Sequence, residues 1–138
     1  ILFIFTPTIK ECEIMYKILK YAHIKSVVFH SKIRNKNDLF NLIKKRYYKV
    51  VITTSILERG ITLESLNVIV FLSDHQIFDH RCLIQISGRV GRKKNHPSGY
   101  IFFLARHKTI EINKAIQDIK KSNSLIEYGD MRDMQKEF

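Results

Sequence analysis

The chain has 138 residues, enough for one domain with a hydrophobic core. Hydrophobic residues make up 45% and charged residues 27%, a balance typical of a globular protein and not of a disordered tail. Lysine and arginine total 24 against 13 aspartates and glutamates, a net charge of +11, and this excess favours a polyanionic partner.

The termini and the cysteines limit the cellular setting. No apolar run reaches the roughly 18 residues that a membrane-spanning helix needs, and the opening "ILFIF" lacks the flanks of a signal peptide. Because the chain begins at Ile1 and not at methionine, we expect a fragment of a longer polypeptide. Cys12 and Cys82 have no CxxC spacing, so reduced thiols in a cytosolic protein are expected, without a zinc site or disulfides.

The first segments alternate between strand and helix patterns. The apolar run Ile1–Phe5 predicts a buried strand. Thr8 and Glu11 then form a capping-box pattern that opens a helix through about Tyr21. The residues expected to face inward from this helix are Cys12, Met15, Ile18 and Leu19.

The pattern continues to the end of the chain. Further strands are predicted at Ser26–His30, Lys49–Thr53, Asn67–Leu72 and Gly99–Leu104. A short helix with Leu39, Phe40, Leu42 and Ile43 inward separates the first two of these strands, and further helices are predicted from about His80 and over Lys108–Ser122. We expect a single domain over residues 1–124, with residues 125–138 as a charged tail or linker.

Alternating strands and helices predict an α/β fold with a parallel sheet and helices on both faces. In such sheets, ligands bind at the carboxyl ends of the strands. Functional residues are therefore expected in the segments that follow the five predicted strands: Thr6–Thr8, Ser31–Asn35, Thr54–Gly60, Ser73–Asp79 and Ala105–His107.

Two motifs carry chemistry. In "TTSILERGIT", Thr53–Thr62, hydroxyls and backbone N–H groups after a strand suit a phosphate oxygen, although a plain turn fits equally well. In "QISGRVGR", Gln85–Arg92, two arginines each follow a glycine. Arginine binds phosphate oxygens in a bidentate manner, and glycine allows a close backbone approach. Two solvated arginines on a surface helix are the ordinary alternative.

Together these motifs resemble motifs V and VI in the second RecA-like lobe of superfamily 2 helicases and translocases, and "FTPT" at Phe5–Thr8 weakly resembles motif IV. Within the superfamily, "TTSILERGITLESLNVIV" and "IFDHRCLIQISGRVGRKKNHPSGYIFF" are most similar to the ComFA-type competence translocases, which help to move single-stranded DNA into cells. The resemblance implies a three-layer RecA-like (P-loop NTPase-type) fold, here the helicase C-terminal lobe.

The resemblance also implies roles for individual residues. Arg92 corresponds to the arginine finger, Arg89 to its companion at the γ-phosphate, and Gln85 to a group that organises the phosphate or the attacking water. The nucleotide-binding positions are Gly60, Thr62, Gly88 and Gly91. The nucleic-acid contacts are Thr54, Thr53, Arg59, Thr6 and Thr8.

Thr62 departs from the pattern of the RNA-helicase branch, where many relatives have an aspartate that holds the sugar of the nucleotide. Because a threonine cannot act there as an anion, this departure weakens an RNA-helicase assignment more than it weakens the helicase assignment.

The first-lobe motifs are absent. None of the five glycines begins a G-x-x-x-x-G-K-[ST] phosphate loop, and no aspartate is followed by glutamate. The resemblance therefore implies that ATP and Mg²⁺ are held mainly by a first RecA-like lobe of the same polypeptide, and the isolated chain is expected to show no appreciable ATP hydrolysis. The six histidines show no metal spacing, and no metal site is predicted.

The leading hypothesis is the second motor lobe of an ATP-dependent DNA translocase or helicase for DNA uptake in competence. The implied partners are single-stranded DNA, the first lobe and the DNA-uptake machinery. The implied location is cytoplasmic, with the inner face of the membrane as a peripheral site. The alternatives are another superfamily 2 DNA helicase of the restart or repair type, and a non-catalytic nucleic-acid-binding module. An unrelated nucleotide-binding domain would need a glycine-rich loop after the first strand, and "TPTIKE" has no glycine.

Overall fold

The computed structural model describes residues 1–54, 66–88, 99–122 and 126–129, and only the backbone at 122 and 126–129. The described strands are β1 (Leu2–Thr6), β2 (Ser26–Phe29), β3 (Val50–Thr54), β4 (Asn67–Phe71), β5 (Gly99–Leu104) and β6 (Ile126–Gly129). The described helices are α1 (Ile9–Tyr21), α2 (Lys36–Lys44), α3 (His80–Ser87) and α4 (Ile110–Ser122). None of these helices is long and apolar enough to cross a membrane.

The strands form one sheet with the order β2-β3-β1-β4-β5-β6, and every neighbouring pair is parallel. Crossovers between parallel strands are right-handed, so the direction of each step along the sheet decides which face its helix covers. The step from β1 to β2 runs opposite to the steps β2 to β3, β4 to β5 and β5 to β6. Accordingly, α1 lies on one face and the other described helices on the opposite face, which confirms the predicted three-layer arrangement.

Two hydrophobic cores lie on the two faces of the sheet, and the alternation of side chains along each strand separates them. On β1, Phe3 and Phe5 belong to the larger core and Ile4 to the smaller one. The larger core includes Ile43, Leu83 and Ile112 from the three helices on its side, and the smaller core includes Cys12 from α1. All five residues of β3 are buried, because helices cover both faces of this strand.

The inward faces of two helices differ from the prediction. Ile18 and Leu42, which were expected to face the core, are 56% and 38% exposed. Along α1, Cys12, Met15 and Leu19 share one stripe, whereas Ile18 is rotated about 120° from Cys12 around the helix axis. Tyr16 completes the stripe instead and packs against the smaller core. Ile18 was predicted to face inward because it is apolar, but its position on the helix places it outside that stripe.

The sixth strand was not predicted. β6 pairs with β5 from Gly99↔Ile126 to Phe102↔Gly129, so four residues of the segment expected to be a tail or linker extend the sheet. The rest of that segment lies outside the described residues, and the proposed division at residue 124 stays a prediction.

The two helix N-termini that follow β1 and β4 are capped differently. Thr8 occupies the N-cap of α1, as predicted, but its side chain makes no capping hydrogen bond to the backbone. Its hydroxyl donates to the Glu11 carboxylate instead. At α3 the Asp79 Oδ1 atom accepts a hydrogen bond of 2.8 Å from the Cys82 N–H. Of these two N-cap side chains, that of Asp79 alone therefore accepts a hydrogen bond from a backbone N–H group in the first turn of its helix.

We predict that Asp79→Ala lowers the free energy of unfolding by about 1 kcal/mol, because it removes this cap. Thr8→Ala is the matched control and should cost less, since the Thr8 side chain caps no backbone N–H. Urea denaturation of the two variants measures the difference. An equal or larger loss for Thr8→Ala would contradict this description of the caps.

Candidate functional site

The carboxyl ends of the strands form one edge of the sheet, which we call the rim and define as residues 6–8, 30–35, 54, 72–79 and 105–109. Thr6 is paired with Thr54 across β1 and β3, and Phe71 with Leu104 across β4 and β5. Neighbouring strands lie roughly 4.8 Å apart, so the segments that follow them are close in space. The described parts of the five predicted segments therefore share one edge, as expected.

A crevice is expected in the rim between β1 and β4, because the helices that follow these two neighbouring strands lie on opposite faces. Leu72, directly after β4, has φ 57°, a left-handed conformation that costs a non-glycine residue roughly 1–3 kcal/mol. Next to it, Ser73 is fully buried and its N–H donates to the Leu104 carbonyl at 2.9 Å. The Ser73 hydroxyl has no hydrogen-bond partner in the described part of the chain.

Thr6 uses its hydroxyl inside the protein. The Thr6 Oγ1 atom donates to the Thr8 carbonyl at 3.0 Å and lies 2.9 Å from the Cys12 Sγ atom. The Thr6 Oγ1 atom also lies 3.5 Å from the Thr53 carbonyl. Thr6 is fully buried, so in this conformation it fixes the turn from β1 to α1 and presents no oxygen to solvent.

The threonines of β3 differ in exposure. Thr53 is fully buried, and its hydroxyl donates to the Thr54 carbonyl at 3.3 Å. Thr54 is 8% exposed and Thr8 is exposed. Of the four threonines predicted to contact nucleic acid within the described residues, Thr8 is exposed and Thr54 is slightly exposed. The hydroxyls of the other two, Thr6 and Thr53, donate to the carbonyls of Thr8 and Thr54.

Both cysteines are free thiols. Burial, and secondarily the charge of Asp79, raises the pKa of the Cys82 thiol to about 11. Burial is also the main cause of the raised pKa of the Cys12 thiol. Both groups are therefore protonated at neutral pH, and a thiol has little nucleophilic or metal-binding capacity in that form.

Helix α3 presents the first residue of the glycine–arginine motif. Leu83 and Ile86 of this helix are buried, whereas Gln85 is exposed and free of the core. Gly88 follows as the C-cap with φ −63° and ψ −6°, and its N–H donates to the Ile84 carbonyl at 2.9 Å. This backbone conformation is open to any residue, so the freedom that glycine offers is not required at position 88.

The first turn of α3 is fixed to α4 by hydrogen bonds between His80 and Glu111, which were not predicted. The Glu111 Oε2 atom accepts hydrogen bonds from the His80 N–H at 2.6 Å and lies 2.5 Å from the His80 Nδ1 atom. The hydrogen bond from the backbone of His80, followed by that from its ring, lowers the pKa of the Glu111 carboxyl. These two residues are 31 positions apart, so no local pattern could have revealed the contact.

A second unpredicted ion pair joins the loops after β4 and β5. The Asp74 carboxylate accepts hydrogen bonds from the Arg106 N–H at 3.2 Å and from the Arg106 Nε at 3.0 Å, and His107 Nδ1 lies 3.5 Å away. The Asp74 side chain is fully covered, whereas that of Arg106 is 70% exposed. Burial alone would raise the pKa of Asp74, but the hydrogen bonds and charge of Arg106 lower it overall.

The loop after β2 is held by His30, which is 6% exposed. Its Nδ1 atom accepts a hydrogen bond of 3.2 Å from the Lys32 N–H. The ring proton therefore lies on Nε2, which donates to the Glu13 Oε1 atom at 3.4 Å. His30 therefore ties this loop to α1.

Part of the predicted site lies outside the described residues: Arg59, Gly60, Thr62, Arg89, Gly91 and Arg92. Their roles stay predictions. Within the described residues, no three histidines, cysteines or carboxylates are grouped in a way that could hold a metal ion. The described part of the rim offers hydroxyl and backbone N–H groups, which suit phosphate oxygens.

The chain is similar to known proteins along most of its length. The pattern of the helicase conserved C-terminal domain matches residues 2–94. The chain is 32% identical over 124 residues to the competence protein ComFA of Streptococcus pneumoniae (strain ATCC BAA-255 / R6), covering 88% of the chain and 29% of that protein. It is 33% identical over 98 residues to the UvrABC system protein B of Mycoplasma mycoides subsp. mycoides SC, covering 67% of the chain and 15% of that protein.

Among solved structures, the C-terminal domain of the DEAD-box protein Dbp5 shares the fold, with a TM-score of 0.68 and 23% identity over 97% of this chain and 77% of that one. The chain spans less than a third of the length of the two curated relatives. The matched helicase pattern agrees with the parallel sheet and its rim. The chain therefore belongs to the helicase conserved C-terminal domain family, as a ComFA-like C-terminal lobe of a superfamily 2 helicase.

Proposed function

We propose that this chain is the second motor lobe of an ATP-dependent DNA translocase that acts in the uptake of single-stranded DNA during competence. The observation that carries the proposal is the helicase C-terminal pattern over residues 2–94, which includes the whole of Gln85–Arg92. The similarity to the competence protein ComFA supports the pathway. The activity belongs to the whole protein, of which this lobe is one part.

The lobe acts by presenting rigid cationic and amide donors. Bound between the two lobes, ATP with Mg²⁺ would supply the phosphoryl group that is transferred to water. Arg92 and Arg89 would donate to the γ-phosphate oxygens as negative charge develops on them, and Gln85 would orient the attacking water. The hydrogen bonds of α3 to Asp79 and Glu111 support this role, because they fix the helix that leads into the arginines.

Three glycines and one threonine would complete the nucleotide contacts. Gly60, Gly88 and Gly91 would allow the chain to approach the nucleotide closely, and Thr62 would offer a neutral hydroxyl where other branches have an anion. This last difference favours a DNA translocase over an RNA helicase.

The nucleic-acid contacts would lie at the rim. Thr54 and Thr8, with Arg59, would bind backbone phosphates, while Thr6 and Thr53 would support them through hydrogen bonds to the Thr8 and Thr54 carbonyls. Contacts with phosphates position the strand without reading its bases. The partners we propose are the first RecA-like lobe, single-stranded DNA and an uptake machinery at the inner face of the membrane, with the protein otherwise cytoplasmic.

We predict that Arg92→Ala in the full-length protein lowers DNA-stimulated ATP hydrolysis by about 10³–10⁵-fold, as the loss of an arginine finger does in other phosphoryl-transfer enzymes. Arg81→Ala is the matched control, since Arg81 is exposed on α3 outside the motif. Release of phosphate with and without single-stranded DNA measures the rate. A rate for Arg92→Ala equal to that of Arg81→Ala would contradict the assignment.

We predict that Thr54→Val weakens binding of single-stranded DNA by about 2- to 10-fold, the effect of one lost hydrogen bond. Valine keeps the shape of the side chain, and Thr53→Val should cause a smaller loss because the Thr53 hydroxyl already has a backbone partner. Fluorescence anisotropy with oligonucleotides of different base composition measures both variants. A loss that depends on the bases would argue against a phosphate contact.

The second candidate is a helicase of DNA repair, which the similarity to the UvrABC system protein B favours. Disruption of the gene separates the two functions. We expect the frequency of transformation by added DNA to fall while survival after ultraviolet irradiation is unchanged. The opposite result, lower survival with normal transformation, would assign the lobe to repair.

A further inference from the structure

The positive charge of the chain is concentrated in one part of the fold. Residues 14–54 contain ten lysines and arginines and a single carboxylate, Asp38, so this stretch carries +9 of the net charge of +11. It forms most of α1 together with β2, α2 and β3, which is the β2 end of the sheet. This end of the molecule therefore has the electrostatic character of a polyanion-binding surface.

Within this region, two turns lie at the amino ends of the strands, opposite the rim. The turn after α1 and the turn after α2 are joined by the Lys49 N–H, which donates to the Lys25 carbonyl at 3.3 Å. We define the amino-end patch as Tyr21, Ile24, Lys25, Lys45 and Tyr47. Tyr21 is 89% exposed, Tyr47 51% and Ile24 40%, and both lysines are exposed.

The Tyr47 ring is held in position although half of it is exposed. The Lys25 Nζ atom lies 3.3 Å from the centroid of the ring, a cation–π contact. On another side the ring meets Tyr48 edge-on, with the centroids 4.9 Å apart, and Tyr48 packs against the larger core. The patch thus has a preorganised aromatic ring with a cation beside it.

Helix stability explains only part of this arrangement. Basic residues are favourable in the last turn of a helix, which accounts for Lys20 of α1 and Lys44 of α2. Lys45 is the C-cap residue of α2 and is accounted for in the same way, whereas Lys25 lies beyond the C-cap of α1. The exposed parts of the tyrosine rings add nothing to the core. Single exposed hydrophobic residues are common, but here exposed tyrosines and an isoleucine end two neighbouring helix–strand turns that also carry Lys25. The acidic residue of residues 14–54, Asp38, lies in the first turn of α2 at the rim.

We propose that the amino-end patch is a second binding surface for single-stranded nucleic acid, separate from the rim. The tyrosine rings would stack on bases and the lysines would bind phosphates, a combination that tolerates any sequence. The rings favour nucleic acid over an acidic peptide, because every base offers a π-face. This surface goes beyond the proposed motor function, since it requires no nucleotide and lies the length of a strand, roughly 17 Å, from the rim.

The test uses the full-length protein without ATP and an oligothymidylate of about 16 nucleotides, the upper site size of comparable grooves. Tyr47→Ala should weaken binding by about 5-fold or more, as expected for a lost stacking contact, and Tyr47→Phe should restore it. Lys25→Gln should reduce the slope of log affinity against log salt by about 0.7, the value for one phosphate contact of a single strand. A 5-iododeoxyuridine oligonucleotide should crosslink to Tyr47 or Tyr21, as located by mass spectrometry.

Matched controls come from outside the patch. Tyr100 on β5 is 50% exposed, so Tyr100→Ala removes an equally exposed ring, and Lys114→Gln removes an exposed lysine from α4. Both should bind like the unaltered protein. A loss for Tyr47→Ala no greater than that for Tyr100→Ala, or crosslinks confined to residues outside 17–25 and 44–49, would overturn the proposal.

Two further measurements exclude other occupants and separate this proposal from the motor function. If Tyr47→Ala weakened binding to vesicles of phosphatidylcholine and phosphatidylglycerol, or to polyglutamate, and not to the oligonucleotide, the nucleic-acid assignment would be wrong. Arg92→Ala should keep the crosslink at the patch while it loses ATP hydrolysis. If the unaltered protein hydrolysed ATP but gave no crosslink at the amino-end patch, the proposal of a second binding surface would be wrong and the motor function would stand.

Discussion

The parallel pairing of the strands, with right-handed crossovers between them, determines where the described candidate residues of this lobe lie. Because all the strands point the same way, each helix runs back against them. The start of each helix is therefore at the rim and its end at the opposite side of the sheet. Glu11, Asp38 and Glu111 lie in first turns, and Lys20 and Lys44 in last turns. The chemical difference between the two ends of the molecule is thus a consequence of the topology, reinforced by the helix dipoles.

The rim depends on contacts between loops as much as on the strands. A surface ion pair alone contributes little to stability, but Asp74 is completely covered and takes two hydrogen bonds from one arginine. Glu111 likewise holds both the backbone and the ring of His80. These contacts leave α3 little freedom at its first turn. A helix that positions groups at a phosphate benefits from such support, because a small displacement of a catalytic group strongly lowers the reaction rate.

The sequence predicted the sheet well because its buried strands are continuous apolar runs, such as "VVIT" in β3. It did not predict β6, whose four residues "IEYG" include one charge and have no such run. The positions of Thr6, Thr53 and Thr54 followed from the ends of strands, but the direction of each hydroxyl depends on neighbours such as Cys12. His80 and Glu111, or Asp74 and Arg106, meet only in the folded chain, and their spacing along it carries no signal.

Some of the polar and aromatic side chains at the two ends of the sheet are explained by folding, and others are not. Folding accounts for the buried hydroxyls of Thr6 and Thr53, because each donates a hydrogen bond to a backbone carbonyl. It also accounts for lysines in the last helical turns. It does not account for a tyrosine that leaves 89% of its surface in water, or for a lysine held over the ring of Tyr47 beyond the end of a helix. An exposed aromatic surface has a free-energy cost in water that binding can remove. The rim has its physical explanation in the topology, and the proposed binding surface supplies one for the exposed rings of the amino-end patch.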